Sequence, residues 1–412
     1  MQQEIVASIP LGVIFGVIGG SFCGLIARKT LGMNDRMFAI FTSCCMAGML
    51  IALPLGAFFS SFRKIKVITT LLRTISVLYI CIAFIPFVSA TNIFGWHISF
   101  LLLLLFSWVC IASFTTLRAS IWRANYPVQH RGQITVYVYF FITVFSSLSV
   151  WLFGKAMDGG MYFGDVYVIS GLMGFIVAHI YSKIRIRGEN KMISRNADQN
   201  VKVQVFAGFS MLFKDKAFGK FMSWQMLNGM ATMVVEGGVM VLIFTEFFDV
   251  NMKEGAVVLG AIPLVISGLS AFFWARLFDR TDIFFMRFIG SCGWAIGRTM
   301  LFIAVFQGSY ALAVFSRCLT GLGMGAGQLA WRLGHMHFAA PDKDSLYMGA
   351  HVGLTGIRGV LSPLIGVGIY SYLRKYNGEA YMIAGTAVLQ FIVALAFLKM
   401  RKDYKLSKNK VL

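Results

Sequence analysis

Tyr347, His351, Thr355, Arg358 and Ser362 stand 4, 4, 3 and 4 positions apart inside an apolar stretch, residues 346–370. Each helical residue advances about 100°, so the five share one face. A charge at that depth costs about 2.5 to 3.5 kcal/mol on membrane-insertion scales, so Arg358 is expected to face protein or water rather than lipid. A desolvated guanidinium grips carboxylate or phosphate oxygens in a two-pronged fork, which makes an anionic solute its natural ligand. His351 adds a side chain of the kind that titrates near neutral pH, although a single helical histidine is more often a packing residue.

Two further polar stripes have the same character. Gln225, Asn228, Thr232 and Glu236 are spaced 3, 4 and 4, within an arc of about 80°. Arg317, Thr320, Gln328 and Trp331 run along a glycine-rich wall at Gly321, Gly323, Gly325 and Gly327. Together the three stripes are expected to line one basic cavity. Its substrate contacts would be Gln225, Asn228, Thr232, Arg317, Gln328, Trp331, Tyr347, His351, Thr355 and Arg358. Glu236 is the one carboxylate that the pattern places deep in a helix. It suits proton coupling, or a structural ion pair with Arg298, Arg317 or Arg358.

The elements that carry these stripes follow from hydropathy. A mean hydropathy of +0.74, with 58% hydrophobic and 13% charged residues, excludes an ordinary soluble domain. Apolar runs of spanning length fall near 5–27, 37–61, 65–89, 97–117, 133–155 and 162–182, then near 217–245, 255–278, 284–306, 310–331, 346–370 and 379–398. The predicted architecture is an all-α membrane protein of twelve transmembrane helices. Residues 1–182 would form a six-helix bundle, 183–216 a linker, and 217–412 a second bundle with a basic tail. The first run follows no basic segment and is read as a retained helix rather than a cleaved signal.

Of the 37 lysines and arginines, 27 fall in or beside the segments on the side of the termini, 7 on the other side, and Arg298, Arg317 and Arg358 within helices. Positive loops stay in the cytoplasm, so both termini are expected there, in a plasma (inner) membrane. Topology and anionic lipid therefore account for the net charge of +20, and nucleic acid is not an expected partner. The seven cysteines all lie in apolar runs and form no CxxC or Cys/His cluster, so neither a disulfide framework nor a metal is expected. No nucleophile–base pair, HExxH or phosphate-binding glycine loop is present, which argues against an enzyme and implies no cofactor.

The halves repeat. At an offset of 214 residues Arg118 meets Arg332 and Pro127 meets Pro341, while GAFFSSFRKIK from Gly56 corresponds to ARLFDRTD from Ala275. Duplicated six-helix halves are the mark of rocker-type transporters. On these features the chain resembles the major facilitator superfamily over nearly its full length. Ala275, Leu277, Asp279 and Arg280 look like that family's charged loop after helix eight. In the first-half copy Arg63, Lys64 and Lys66 remain, but Ser60 stands where the family usually has Asp. The resemblance implies gating contacts at Asp279, Arg280, Arg63 and Lys64, although Asp279 would suit a plain helix-end cap equally well. It also implies that helices seven, ten and eleven border the central cavity. Pro127, Arg131 and Gly132 resemble another recurrent family turn, and Gly359, Pro363 and Gly366 resemble its helix-bending motif, here in helix eleven instead of five.

The expectation is thus a secondary transporter, acting as a monomer, that moves a small organic solute, best an organic anion, by alternating access with a coupling proton. Efflux of hydrophobic or amphipathic compounds, or a non-transporting receptor on the same fold, are the alternatives.

Overall fold

In the computed structural model, residues 2–59, 62–88, 93–126, 128–190, 193, 209–339 and 344–409 are described. Within them the chain forms twelve helical rods: α1 (Gln2–Thr30), α2 (Asp35–Phe58), α3 (Lys64–Ala83), α4 (Ile93–Asn125), α5 (Val128–Asp158), α6 (Phe163–Ser182), α7 (Lys216–Phe247), α8 (Met252–Arg280), α9 (Ile283–Gln307), α10 (Tyr310–Leu333), α11 (Asp344–Arg374) and α12 (Glu379–Asn409). Among the described residues, ten of them carry stretches long and apolar enough to cross a membrane. Several rods outrun their apolar runs: α4, α5 and α12 continue into charged ends. Ser60, Pro127, Pro341 and half of the linker lie outside the described residues.

Side-chain caps fix the starts of the second-half helices. Asp215 accepts from the Phe218 N–H at the head of α7, Asn251 and Glu254 form a reciprocal capping box on α8, and Asp282 and Ser309 cap α9 and α10. At the end of α9, Gly308 takes φ +67°, a left-handed conformation that lets the chain reverse into α10.

Short loops make successive rods antiparallel, so one end of the molecule carries both termini and the other is the far end. Four π-helical turns interrupt the regular helices, at Ile26–Thr30 in α1, Val235–Val239 and Ile243–Phe247 in α7, and Ala256–Ala261 in α8. Such bulges cost hydrogen-bond regularity and recur at functional positions. Here they lie where the halves meet: Gly24 of α1 packs on Val241 of α7, and Leu25 on Gly255 of α8. Along the other seams Met46 and Leu50 of α2 meet Gly359 and Gly356 of α11, and Tyr139 of α5 shares a 2.8 Å hydroxyl bond with Ser267 of α8.

Candidate functional site

The sequence-derived residues separate into two buried groups inside the second half. In the first, Glu236 sits within the α7 π turn. Its Oε1 accepts Nη2 of Arg298 from α9 at 2.8 Å and Nη1 of Arg317 from α10 at 2.6 Å, and each arginine is 1% exposed. Arg317 also donates Nε and Nη2 to the carbonyls of Val258 and Leu259, both at 3.4 Å, in the π turn of α8. One carboxylate and two guanidiniums thus tie α7, α8, α9 and α10 by charge-assisted bonds, with one positive charge in excess. Thr232 belongs here too: its hydroxyl accepts Nε2 of Gln390 at 3.0 Å. Arg358 takes no part in Glu236's ion pairs.

The second group surrounds Arg358. Because Gly356 and Gly359 face α2, the Arg358 side chain turns away from the first half and into the second. Its Nη1 donates to the Gln225 carbonyl at 2.8 Å, and its guanidinium lies against Gly229. Tyr347, His351, Thr355, Arg358 and Ser362 are all buried, as one helical face requires. Trp331 Nε1 donates to the Thr355 hydroxyl at 3.2 Å, and its ring meets the His351 ring edge-to-face at 5.4 Å. Asn228 accepts from the Ser291 hydroxyl at 3.2 Å, and Tyr347 donates to Asp215 at 2.9 Å. Gln328 is half-buried on α10. The single cavity lined by all three stripes is therefore replaced by two polar clusters within one bundle.

Arg287 belongs to the second cluster, although the charge count places it among the basic residues in or beside the segments on the side of the termini. It is 5% exposed, one turn from the head of α9, within electrostatic range of Arg358; His351 is within range of both arginines. A signal existed: Arg287, Ser291, Trp294 and Arg298 are spaced 4, 3 and 4, a stripe of the same kind as the others.

At the far end the two halves are joined by charge. Arg28 of α1 pairs with Asp35 of α2 at 2.9 Å and with Glu246 of α7. Arg374 of α11 pairs with Asp35 at 3.3 Å and also with Glu246. Ser371 donates to Asp35 at 2.5 Å, Lys29 to the Val250 carbonyl, and Asp158 of α5 receives the Met252 and Lys253 N–H groups at 3.0 and 2.8 Å. Two acids and two bases, one of each sign from each half, form a closed alternating network.

At the end carrying the termini, Asp279, Arg280 and Arg63 are exposed, and among the described residues Asp279 and Arg280 make no ion pair. The Lys64 N–H donates to Glu189 at 2.9 Å, tying α3 to the segment after α6. A carboxylate more deeply buried than Glu236 appears here, against the expectation that Glu236 stood alone. Glu4 Oε2 accepts Arg118 Nε and Nη2 at 3.1 and 2.7 Å and the Tyr181 hydroxyl at 3.0 Å. It forms the floor of a cleft of about 350 Å³ that Arg185 and Arg187 flank. Burial holds the Tyr126 phenol beside this cleft up at about 12, so it is a neutral donor at any physiological pH.

No protein-family model matches the sequence, and no curated protein matches it significantly. Solved structures do. A mutant of the nucleoside transporter NupG superposes with a TM-score of 0.74 at 14% identity, over 97% of this chain and 99% of its own. The xylose transporter XylE from E. coli, in a partially occluded inward-open conformation, gives 0.71 at 14% identity over 96% and 97%. The fold is that of the major facilitator superfamily. A bacterial homologue of the human lysosomal transporter Spinster, inward-facing and unoccupied, gives 0.68 at 14% identity over 98% of both chains. In this major facilitator fold the far-end network occupies the seam between the two six-helix bundles.

Proposed function

We propose that this chain is a secondary transporter of the inner membrane that carries a small organic anion by alternating access, with both termini in the cytoplasm. The observation that carries the reading is the far-end network. Two of its four ion pairs, Arg28–Glu246 and Arg374–Asp35, cross from one bundle to the other, and all four are only partly shielded, with side chains 18 to 39% exposed. Exposed pairs contribute about 0.2 to 1 kcal/mol each, so they hold a closed state without locking it. Full-length likeness to nucleoside, xylose and Spinster-type carriers supports the transporter class.

The anion preference rests on charge. Within the second half the guanidiniums of Arg287, Arg298, Arg317 and Arg358 are buried, Glu236 pairs with only Arg298 and Arg317, and Arg358 is the proposed substrate contact. Proton coupling is assigned to Glu236, because its protonation would release α9 and α10 from α7 at the π turn. The chain is proposed to work as a monomer, with residues 1–182 and 217–412 as the rocking units.

Counterflow in proteoliposomes tests the assignment. Uptake of labelled carboxylates driven by internal unlabelled anion, abolished by Arg358→Gln and uncoupled from pH in Glu236→Gln, is the expected result. Counterflow of neutral nucleosides or sugars with no anion uptake would assign the chain to a different substrate class, and binding without counterflow would make it a receptor.

A further inference from the structure

Among the described residues, Arg287 and Arg358 form a pair of buried cations without a counter-ion. Arg287 Nε and Nη2 and Arg358 Nε have no protein partner, nor does either ring nitrogen of His351 or the Gln225 Oε1, and all four residues are at least nine-tenths buried. The nearby acids are committed elsewhere: Glu236 to Arg298 and Arg317, Asp282 to Arg401, Asp215 to Tyr347 and the head of α7. Burying two like charges without compensation is among the costliest arrangements a fold can contain. Four elements hold them in place all the same. Arg358 is bonded to α7 and pressed on Gly229, while Arg287 stands beside the Gly334 turn that follows α10.

We infer that Arg287 and Arg358 together bind the head group of a dianionic oxyanion, an inorganic phosphate or a phosphate monoester. The inference rests on the anion-transport reading and narrows it. Charge balance makes the distinction: a monocarboxylate leaves one of the two guanidiniums uncompensated, whereas a phosphoryl dianion neutralises both and offers oxygens enough for two forks. His351 adds a donor to the same oxygens, and Gln225 Oε1 accepts a hydroxyl proton from the ligand or from its protonated phosphate. No bond is made or broken; the site recognises charge and geometry.

The test is the melting temperature of the purified full-length protein, titrated with phosphate, glycerol 3-phosphate, acetate and chloride at constant ionic strength, in wild type, Arg287→Gln, Arg358→Gln and the surface control Arg280→Gln. Expected are saturable upward shifts with the two phosphates and none with chloride, binding about 10- to 100-fold weaker in either buried variant, and no change in Arg280→Gln. A second readout separates binding from structure. Without phosphate, removing an uncompensated cation raises the melting temperature of Arg287→Gln, whereas removing a structural arginine lowers it. Phosphate shifts of equal size in wild type and Arg287→Gln, or a lowered melting temperature in anion-free buffer, overturn the inference. Acetate shifts that need Arg358 but not Arg287 also overturn it while leaving the organic-anion reading intact. If no anion shifts the wild type, both fail. Glycerol 3-phosphate binding far tighter than phosphate identifies an ester as the ligand; equal binding identifies the free ion.

Discussion

Arg374 at the end of α11 reaches Asp35 at the start of α2 with 3.3 Å between Nη2 and Oδ2, a bond across the two bundles between residues 339 positions apart in the chain. Arg28 and Glu246 complete the circuit in the opposite sense. Any motion that opens the far end has to break these pairs together, and closing it restores them.

Glu246→Gln therefore removes one inter-bundle pair, that with Arg28, together with the pair to Arg374 inside its own bundle. The loss is about 0.2 to 1 kcal/mol of preference for the closed far end, a population shift of up to about fivefold. Raised accessibility of a cysteine probe placed deeper in α7, measured by maleimide labelling from the far side, is the expected outcome. Unchanged labelling would make the network ornamental. High salt should mimic part of the effect, because these charges are solvent-screened.

Glu236→Gln should behave quite differently. It leaves Arg298 and Arg317 buried without their shared carboxylate, a loss of about 3 to 5 kcal/mol visible in thermal unfolding. Replacing all three by apolar residues of similar volume is expected to recover most of that stability. If the single change were silent, the triad would not be holding α7, α9 and α10 together.

The all-helical, many-span fold and the buried face of α11 were legible in the sequence because hydropathy and a 100° step suffice to find them. Partners were not. The stripe from Tyr347 to Ser362 faces protein, as its buried charge requires, but nothing in it says that Gly356 and Gly359 claim the inter-bundle side and turn Arg358 inward. Arg287 and Glu4 were hidden for another reason. Both lie within a turn or so of a helix end, where a charge reads as a topology signal, and only packing reveals that α9 and α1 bury them. The far-end network was equally invisible, since its four members are scattered over residues 28 to 374 and each alone looks like an ordinary loop charge.

Gly229→Ala should damage the second cluster without touching a charge. A Cβ at this position would fall inside the Arg358 guanidinium, so the side chain must leave the Gln225 carbonyl or α7 must shift. Overpacking of this kind costs about 1 to 3 kcal/mol. Anion-induced stabilisation should vanish along with it. Retained stabilisation would show that Arg358 binds from another position.

Tyr181→Phe removes one of three bonds to the buried Glu4 carboxylate, a hydrogen bond to a charged acceptor worth about 1.5 to 3 kcal/mol. Unfolding measurements should show that loss. Because α1, α4 and α6 belong to one bundle, the population of the open far end should not move. A coupled shift in accessibility there would mean that this cluster is part of the switch.

Alternating access itself is tested most directly by distance distributions between spin-label pairs on opposite bundles, in a background with the seven cysteines replaced. One pair sits at Arg36 and Lys375 at the far end, the other at Lys66 and Arg280 near the termini. Two populations at each end are predicted, with opposite responses: Glu246→Gln should lengthen the far-end distance while shortening the other. A single distribution at both ends, indifferent to that substitution, would contradict a rocking carrier and leave a static membrane protein on a transporter's fold.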